Sequence, residues 1–572
     1  MQHLNKVLVL DADLAPALAV VRSLARQGLE VDVASHAENP LAGYSRHARA
    51  RLRYPDPMSA PQPFLDWLKN QAANNRYDMI VPVTERTAVP LFRHRDQLAM
   101  LPVALPANES LDIALDKAKT VDLARQLGVP VPESFLITQP ESIAALKETL
   151  AYPIVIKPAR SMGSADQGIV QLGVDYAFGE SELMSKVTHA LRFGHVILQE
   201  YFRGQGVGIE LIASHGKIEY AFQHLRLHEL PLTGGGSSLR KSVAIEPELL
   251  EASQKLMAAL NWHGVAMVEF KWNPDTRQFR LMEINGRFWG SLPLAVSAGA
   301  DFPAMLHELL TQGRISPRPS ARLGMIGRKL GSDIFWYEQV LRHNAPEKLV
   351  TLPSRKQLAK DALLVFSPRH RFDIQQWRDP MPGLIDLAQI VSGYANRIAQ
   401  ITSARVFFWR QKRAWTDGEI SRRLKPARQI LFVCYGNINR SALADRYFAK
   451  RAAGMPIASL SAGFHAQSGR PADPNMVEIA REQGVDLENL RSRRIDHALI
   501  NDSDLIFVME KQHYDRIAKD YPAAASKTFL LDPRGEIDDP YGKSTALYQK
   551  CHKEVTASID NLAALLTQAK KQ

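Results

Sequence analysis

The stretch Phe432–Phe448, FVCYGNINRSALADRYF, decides the fold of the last quarter of the chain. It holds one of only two cysteines in 572 residues. The apolar run QILFVC reads as a strand ending at Cys434, and SALADRYFAKRAA reads as a helix, with a short polar loop between them. A strand–loop–helix of this kind turns unpaired amide N–H groups and the positive end of a helix dipole toward one point, which makes an anion site. Arg440, planar and always charged, would close that cradle on two oxygens of a phosphate. The same positive field favours the thiolate of Cys434, and a thiolate is a nucleophile. Ser441 can donate its hydroxyl to the sulfur. A buried strand cysteine without chemistry is the competing reading, and the downstream text weighs against it.

After the cysteine loop come SAGFHAQSGRPADP, LRSRRI, DSDLIFVMEKQHYDRI and DDPYG, in that order. Together with CYGNINRS they resemble the low-molecular-weight protein tyrosine phosphatases from about Gln429 to Gln572. The resemblance implies a parallel-sheet α/β domain and a phosphocysteine mechanism. Cys434, Arg440 and Ser441 would be its loop residues and Asp539, directly before Pro540, its general acid. It also implies a phosphotyrosine protein as partner, with a bacterial tyrosine kinase of polysaccharide export as the suggested one. Two departures from the family pattern matter. Asn439 stands where a second cysteine often precedes the arginine, so no protective disulfide can form within the loop. Ala442 replaces a proline. The other cysteine, Cys551, lies in a C-terminal helical run, which disfavours a disulfide-relaying arsenate reductase.

Upstream, LMEINGRFWGS sets Glu283 and Asn285 two residues apart on a strand, hence on one face. Glu269 in VAMVEFKWN, fourteen residues earlier, is expected on the antiparallel neighbour. Two carboxylates and an amide oxygen form a hard-oxygen set suited to Mg2+ shared with phosphates. Arg287 extends the same face and can hold a phosphate or a developing anion. YPIVIKPARSMGSADQG reads as a strand carrying Lys157 and a small-residue loop, with Ser161, Gly163 and Ser164, able to fold over phosphates. VILQEYFRGQG reads as a strand whose end, Gln199, Glu200 and Tyr201, can contact adenine.

Taken in order, DKAKT, IVIKPARSMGS, LQEYFRGQG, VEFKWN and LMEINGR resemble the ATP-grasp superfamily, nearest its carboxylate–amine ligase-like branch. That resemblance implies ATP and Mg2+ as cofactors. It makes Lys117 and Lys157 phosphate-binding residues and Glu200 the adenine-side residue, with Glu269, Glu283 and Asn285 as metal ligands. Small-molecule carboxylate and amine substrates follow from it. A ribose-binding acid is not evident, and Glu210 is a weak candidate. Arg226 and Arg240, around a glycine loop, are equally readable as ligands for an acidic substrate or as a solvated hairpin.

The first segment alternates strand and helix patterns without G-x-G-x-x-G after its first strand, so it reads as a parallel-sheet unit with no dinucleotide site. The fold expected is multidomain α/β. A Rossmann-like pre-ATP-grasp domain (1–115) precedes an ATP-grasp domain (116–315), a helical, basic connector (316–427) and a phosphatase domain (428–572). A formal charge of +11 favours anionic partners, but no zinc-finger, helix-turn-helix or aromatic RNA-binding pattern supports nucleic acid. The basic stretch 405–428 carries Phe407, Phe408 and Trp409. Packing on a neighbouring domain is the preferred reading there, ahead of a membrane surface. Few cysteines, no signal pattern and no apolar run of about 18 residues place the chain in the cytoplasm. The expected function is a bifunctional ligase–phosphatase. Its rivals are a nucleotide-sensing ATP-grasp module that regulates the phosphatase, and a phosphatase for small-molecule phosphates.

Overall fold

The computed structural model describes the chain apart from residues 1–4, 147–148, 166–167, 466 and 572 and the side chains of 164–171 and 181. It divides into two units, Met1–Val391 and Ser392–Gln572.

The first unit begins with KVLV, three of whose residues are buried, as the strand Lys6–Val9. It pairs in parallel with Glu30–Ser35 and Met79–Val81, and Ala48–Arg53 lies in parallel on the outer side of Glu30–Ser35. A four-stranded antiparallel sheet follows, ordered Ser134–Ile137, Val196–Glu200, Ile154–Pro158, Asp175–Ala177. The largest sheet has seven strands, ordered Phe279–Asn285, Gly264–Trp272, Gln205–Ser214, Lys217–Leu230, Gly236–Val243, Ile326–Arg328, His370–Phe372. Its apolar face buries Ile209, Leu211, Val268, Phe270 and Leu281 with Leu256 and Trp262. Each such side chain contributes about 1.5–3 kcal/mol of transfer free energy. The other face is free to carry polar groups, and there Glu269 lies directly opposite Glu283 in the register.

Residues 316–427, read from sequence as one connector, are shared between the units. Ile326–Arg328 and His370–Phe372 join the seven-stranded sheet, and the helix Pro380–Thr416 runs across the division at 391/392. Strands of three residues are too short to show a period of two, which is why the sequence does not reveal them.

The second unit is built on four parallel strands ordered Ala458–Gly463, Gln429–Cys434, Leu505–Val508, Thr528–Leu530. Gln429–Cys434 is central and buried from Ile430 onward, so it is apolar on both faces rather than alternating. The helix Arg440–Arg451 packs on the long helix Thr545–Lys571. In the basic stretch, Phe407 is buried against Tyr514, and the Trp415 indole N–H donates to the Leu530 carbonyl at 3.1 Å. Trp409 remains 56% exposed. Among the described residues no helix is long and apolar enough to cross a membrane.

Candidate active sites

In the second unit the chain leaves the central strand at Cys434, loops, and enters the helix Arg440–Arg451. The loop is shaped by Asn437, whose φ of 52° is left-handed, a region Asn tolerates better than most side chains. The Asn437 amide N–H donates to the Cys434 sulfur at 3.2 Å, and its side chain donates to Ser441 Oγ at 3.0 Å. Ser441 Oγ in turn lies 3.0 Å from that sulfur. Asn437 Oδ1 accepts from the Arg493 N–H at 2.8 Å, which ties the loop to a distant segment. Arg440, 1% exposed, pairs with Glu510, donates to the Ile537 carbonyl at 2.8 Å and meets Asp539 Oδ2 at 2.7 Å. Burial pulls its guanidinium toward the neutral form, but Cys434, Asp539 and Glu510 outweigh that and raise its pKa. Cys434, Arg440, Asp539 and Tyr541 line one cavity of about 260 Å3. Asp538 points elsewhere, to Lys550 at 3.0 Å.

In the first unit the four-stranded and seven-stranded sheets both line one cleft. The four-stranded sheet supplies Lys157, Gln199, Glu200 and Tyr201, and the seven-stranded sheet supplies Arg226, Glu269 and Glu283. Lys157 donates to Gln199 Oε1 at 2.7 Å, and burial pulls its pKa down to about 8. Lys117, at the start of the helix Lys117–Gln126, donates to Ser161 Oγ at 2.8 Å and lies 3.9 Å from Glu283. Asn285 Nδ2 bridges Glu269 at 3.1 Å and Glu283 at 3.2 Å. Burial pushes the Glu269 carboxyl up, opposed by Arg226 at 2.5 Å. Burial acts on Glu283 likewise, but Lys117 and Lys157 outweigh it and hold that carboxyl below its usual range. Gly163 lies on the hairpin strand Met162–Ala165, where a Cβ would stand 2.7 Å from the Phe193 carbonyl. Ser164 is on the same strand, and its side chain lies outside the described residues. Arg287 pairs with Glu85 at 3.1 Å. With Ser161 and Glu283, Arg287 borders a neighbouring cavity of about 940 Å3, whose wall also carries Asp13, Thr84 and Arg86.

Residues 429–572 match the family model described as low molecular weight phosphotyrosine protein phosphatase, and 192–329 match one described as ATP-grasp in the biosynthetic pathway with Ter operon. The probable low molecular weight protein-tyrosine-phosphatase EpsP of Ralstonia nicotianae is 32% identical over 133 residues, 23% of this chain and 90% of that protein. Through its second unit, the chain belongs to the low-molecular-weight phosphotyrosine protein phosphatase family. The low molecular weight protein-tyrosine-phosphatase Wzb of Escherichia coli K12 is 38% identical over 118 residues, 20% of this chain and 79% of that protein. A biotin carboxylase from Campylobacter jejuni in complex with a β,γ-ATP ligand is similar over 56% of this chain and 74% of its own, at 16% identity and a TM-score of 0.45.

In the phosphatase unit, sequence reading missed Asn437, Glu510 and Arg493 as supports of the loop. Only Asn437 carries a local signal, an asparagine inside a tight loop; the others come from segments far along the chain. In the first unit it missed Lys271 and Glu229, which pair at 2.7 Å beside Arg226. Two candidates, Arg240 and Glu210, stand corrected, and for Arg226 one of its two readings falls. Arg240 is fully buried on Asp373, so it is neither a ligand nor a solvated hairpin residue. Arg226 is buried in the cleft on Glu269 rather than solvated. Glu210 is fully buried, accepting from Ser291 at 2.6 Å with His224 at 2.9 Å, so it is closed to a ribose.

Proposed function

We propose that the chain carries two active sites, a cysteine-dependent tyrosine phosphatase and an ATP- and Mg2+-dependent carboxylate–amine ligase. The phosphatase reading rests on one observation: Cys434, Arg440 and Asp539 border a single cavity at the C-terminal end of a parallel strand. The Cys434 sulfur attacks phosphorus as the bond to the phenol oxygen breaks, and Asp539 gives its proton to that oxygen. Water then attacks the phosphocysteine, Asp539 takes the proton, and inorganic phosphate leaves the restored cysteine. Arg440 holds the equatorial oxygens throughout, exchanging its contact with Asp539 for one with phosphate. The expected substrate is a phosphotyrosine protein. Rapid-quench capture of a phosphorylated protein, absent in Cys434→Ser, tests this step.

For the first unit the reading rests on lysines facing paired carboxylates across a cleft. Glu269, Glu283 and Asn285 would hold Mg2+ as a hard-oxygen set, Asn285 through its amide oxygen in place of the Nδ2 that here donates to both carboxylates. Magnesium there supplies charge neutralisation at a transferring phosphoryl group. Lys117 and Lys157 bind phosphate oxygens, and Gln199, Glu200 and Tyr201 form the adenine side. Ser161, Gly163 and Ser164 belong to the hairpin that covers the phosphates. A substrate carboxylate would attack the γ-phosphorus of ATP as the bond to the β-phosphate oxygen breaks and ADP leaves. Arg287 would steady the acyl phosphate in the adjoining cavity, and an amine would then attack its acyl carbon, releasing inorganic phosphate and a proton. ADP release that depends on added carboxylate and amine tests the ligase. ATP binding without such release would favour the nucleotide-sensing alternative.

A further inference from the structure

We infer that Arg470 gives the phosphatase a preference for phosphotyrosines flanked by a negative charge, so that its substrate is an acidic peptide segment. The inference rests on the phosphatase reading and adds a specificity-determining residue to it. Arg470 lines the same cavity as Cys434, Tyr435 and Tyr541. One of its guanidinium nitrogens lies 4.0 Å from where a Cβ on Gly436 would stand, which sets it against the loop that carries the nucleophile.

The two cationic side chains of the cavity wall differ in what neutralises them. Arg440 already meets Glu510 and Asp539. Arg470 has no carboxylate within 4 Å among the described residues, and it is half-buried rather than waving in solvent. Its backbone is clamped on both sides. The Arg470 N–H donates to Ser492 Oγ at 2.9 Å, its carbonyl accepts from the Ser492 N–H at 2.8 Å, and Gly469 donates to the Ser492 carbonyl at 2.7 Å. Arg493 and Arg494 follow Ser492 directly, both exposed and likewise without a carboxylate partner. The backbone that carries Arg470 is therefore held in place before any substrate arrives. A planar guanidinium in that position matches a carboxylate or a phosphate next to the phosphotyrosine in two-pronged fashion. Arg440 fixes the phosphate being removed, so Arg470 is left for a second anion.

Carboxylate and phosphate share this chemistry, and peptides separate them. The test measures kcat/KM on the full chain with phosphotyrosine peptides of one sequence, differing only in the flanking residue: Glu, Gln or a second phosphorylated residue. The wild type is expected to favour the Glu peptide over the Gln peptide roughly three- to tenfold, through KM, as for a partly desolvated charge pair. A stronger preference for the doubly phosphorylated peptide would identify phosphate as the natural anion. Arg470→Gln is expected to bring the ratio close to one, and Arg470→Lys to keep part of it. Equal loss on Glu and Gln peptides in Arg470→Gln would overturn the inference, since a structural role moves both alike. Hydrolysis of all peptides without preference by the wild type would overturn it alone. No hydrolysis of any peptide would overturn it together with the reading on which it rests.

Discussion

Asp538 and Asp539 are neighbours of the same type, yet one meets Arg440 at 2.7 Å inside the cavity and the other meets Lys550 at 3.0 Å. Successive residues of extended chain point to opposite sides, and Pro540 restricts Asp539 to extended backbone. A general acid contributes about 10²–10⁴-fold, and most when the leaving group is poor. Asp539→Ala should therefore slow phosphotyrosine hydrolysis by roughly that factor, yet slow an activated aryl ester much less, while Asp538→Ala does little to either. Steady-state rates on the two esters check this, and the opposite pattern moves the acid to Asp538. Asp539 was singled out by the resemblance, which sets the acid directly before Pro540, and the structure places it in the cavity with Cys434. Glu510 was not legible, since its role exists only once the strand Leu505–Val508 stands beside Gln429–Cys434. Asn439, buried with neither end of its amide hydrogen-bonded, cannot rescue an oxidised Cys434. Cys551 shares the core cluster with Cys434, but burial pushes its thiol up to about 12, so it offers almost no thiolate to form a disulfide. Prolonged peroxide should cause loss of activity that a thiol reductant does not restore. Full recovery that disappears in Cys551→Ser would show that the two cysteines do pair.

The paired strands Gly264–Trp272 and Phe279–Asn285 act as one element, because their register sets Glu269 against Glu283. Glu283→Gln and Asn285→Ala should each weaken Mg2+-dependent ATP turnover at least tenfold while p-nitrophenyl phosphate hydrolysis persists. Turnover surviving both changes would remove these residues from the metal site. Alternation along each strand made the acidic face legible, and Lys271, two residues on from Glu269, shares that face; Arg226 reaches it from the strand Lys217–Leu230, which local pattern does not reveal. On the four-stranded sheet, Lys157 is pulled down to about 8 by burial. A lysine bound to phosphate must be charged, and a lowered pKa means the charge is present below about 8 and lost above it. The kcat/KM for ATP should accordingly fall as pH rises through that value, and Lys157→Arg should flatten the fall. A profile unchanged by Lys157→Arg would assign the titration to another group.

At the scale of the molecule, the sequence revealed most where chemistry and local pattern coincide, as in CYGNINRS and LMEIN, and least in 316–427. That segment carries no catalytic cluster, and its short strands gain their identity only by joining a sheet built elsewhere in the chain. The charge pairs that shape each site lie within one unit: Arg440 with Glu510 and Asp539 in the second, Glu269 with Arg226 in the first. The central claim, two independent active sites in one chain, therefore requires that each be lost alone. The direct measurement is aryl phosphate hydrolysis and Mg2+-dependent ATP binding on the same preparations of the wild type, Cys434→Ser and Glu283→Gln, with folding checked by circular dichroism. Cys434→Ser is expected to abolish hydrolysis and leave ATP binding intact, and Glu283→Gln to do the reverse. A folded variant that loses both properties would contradict the claim of two independent sites.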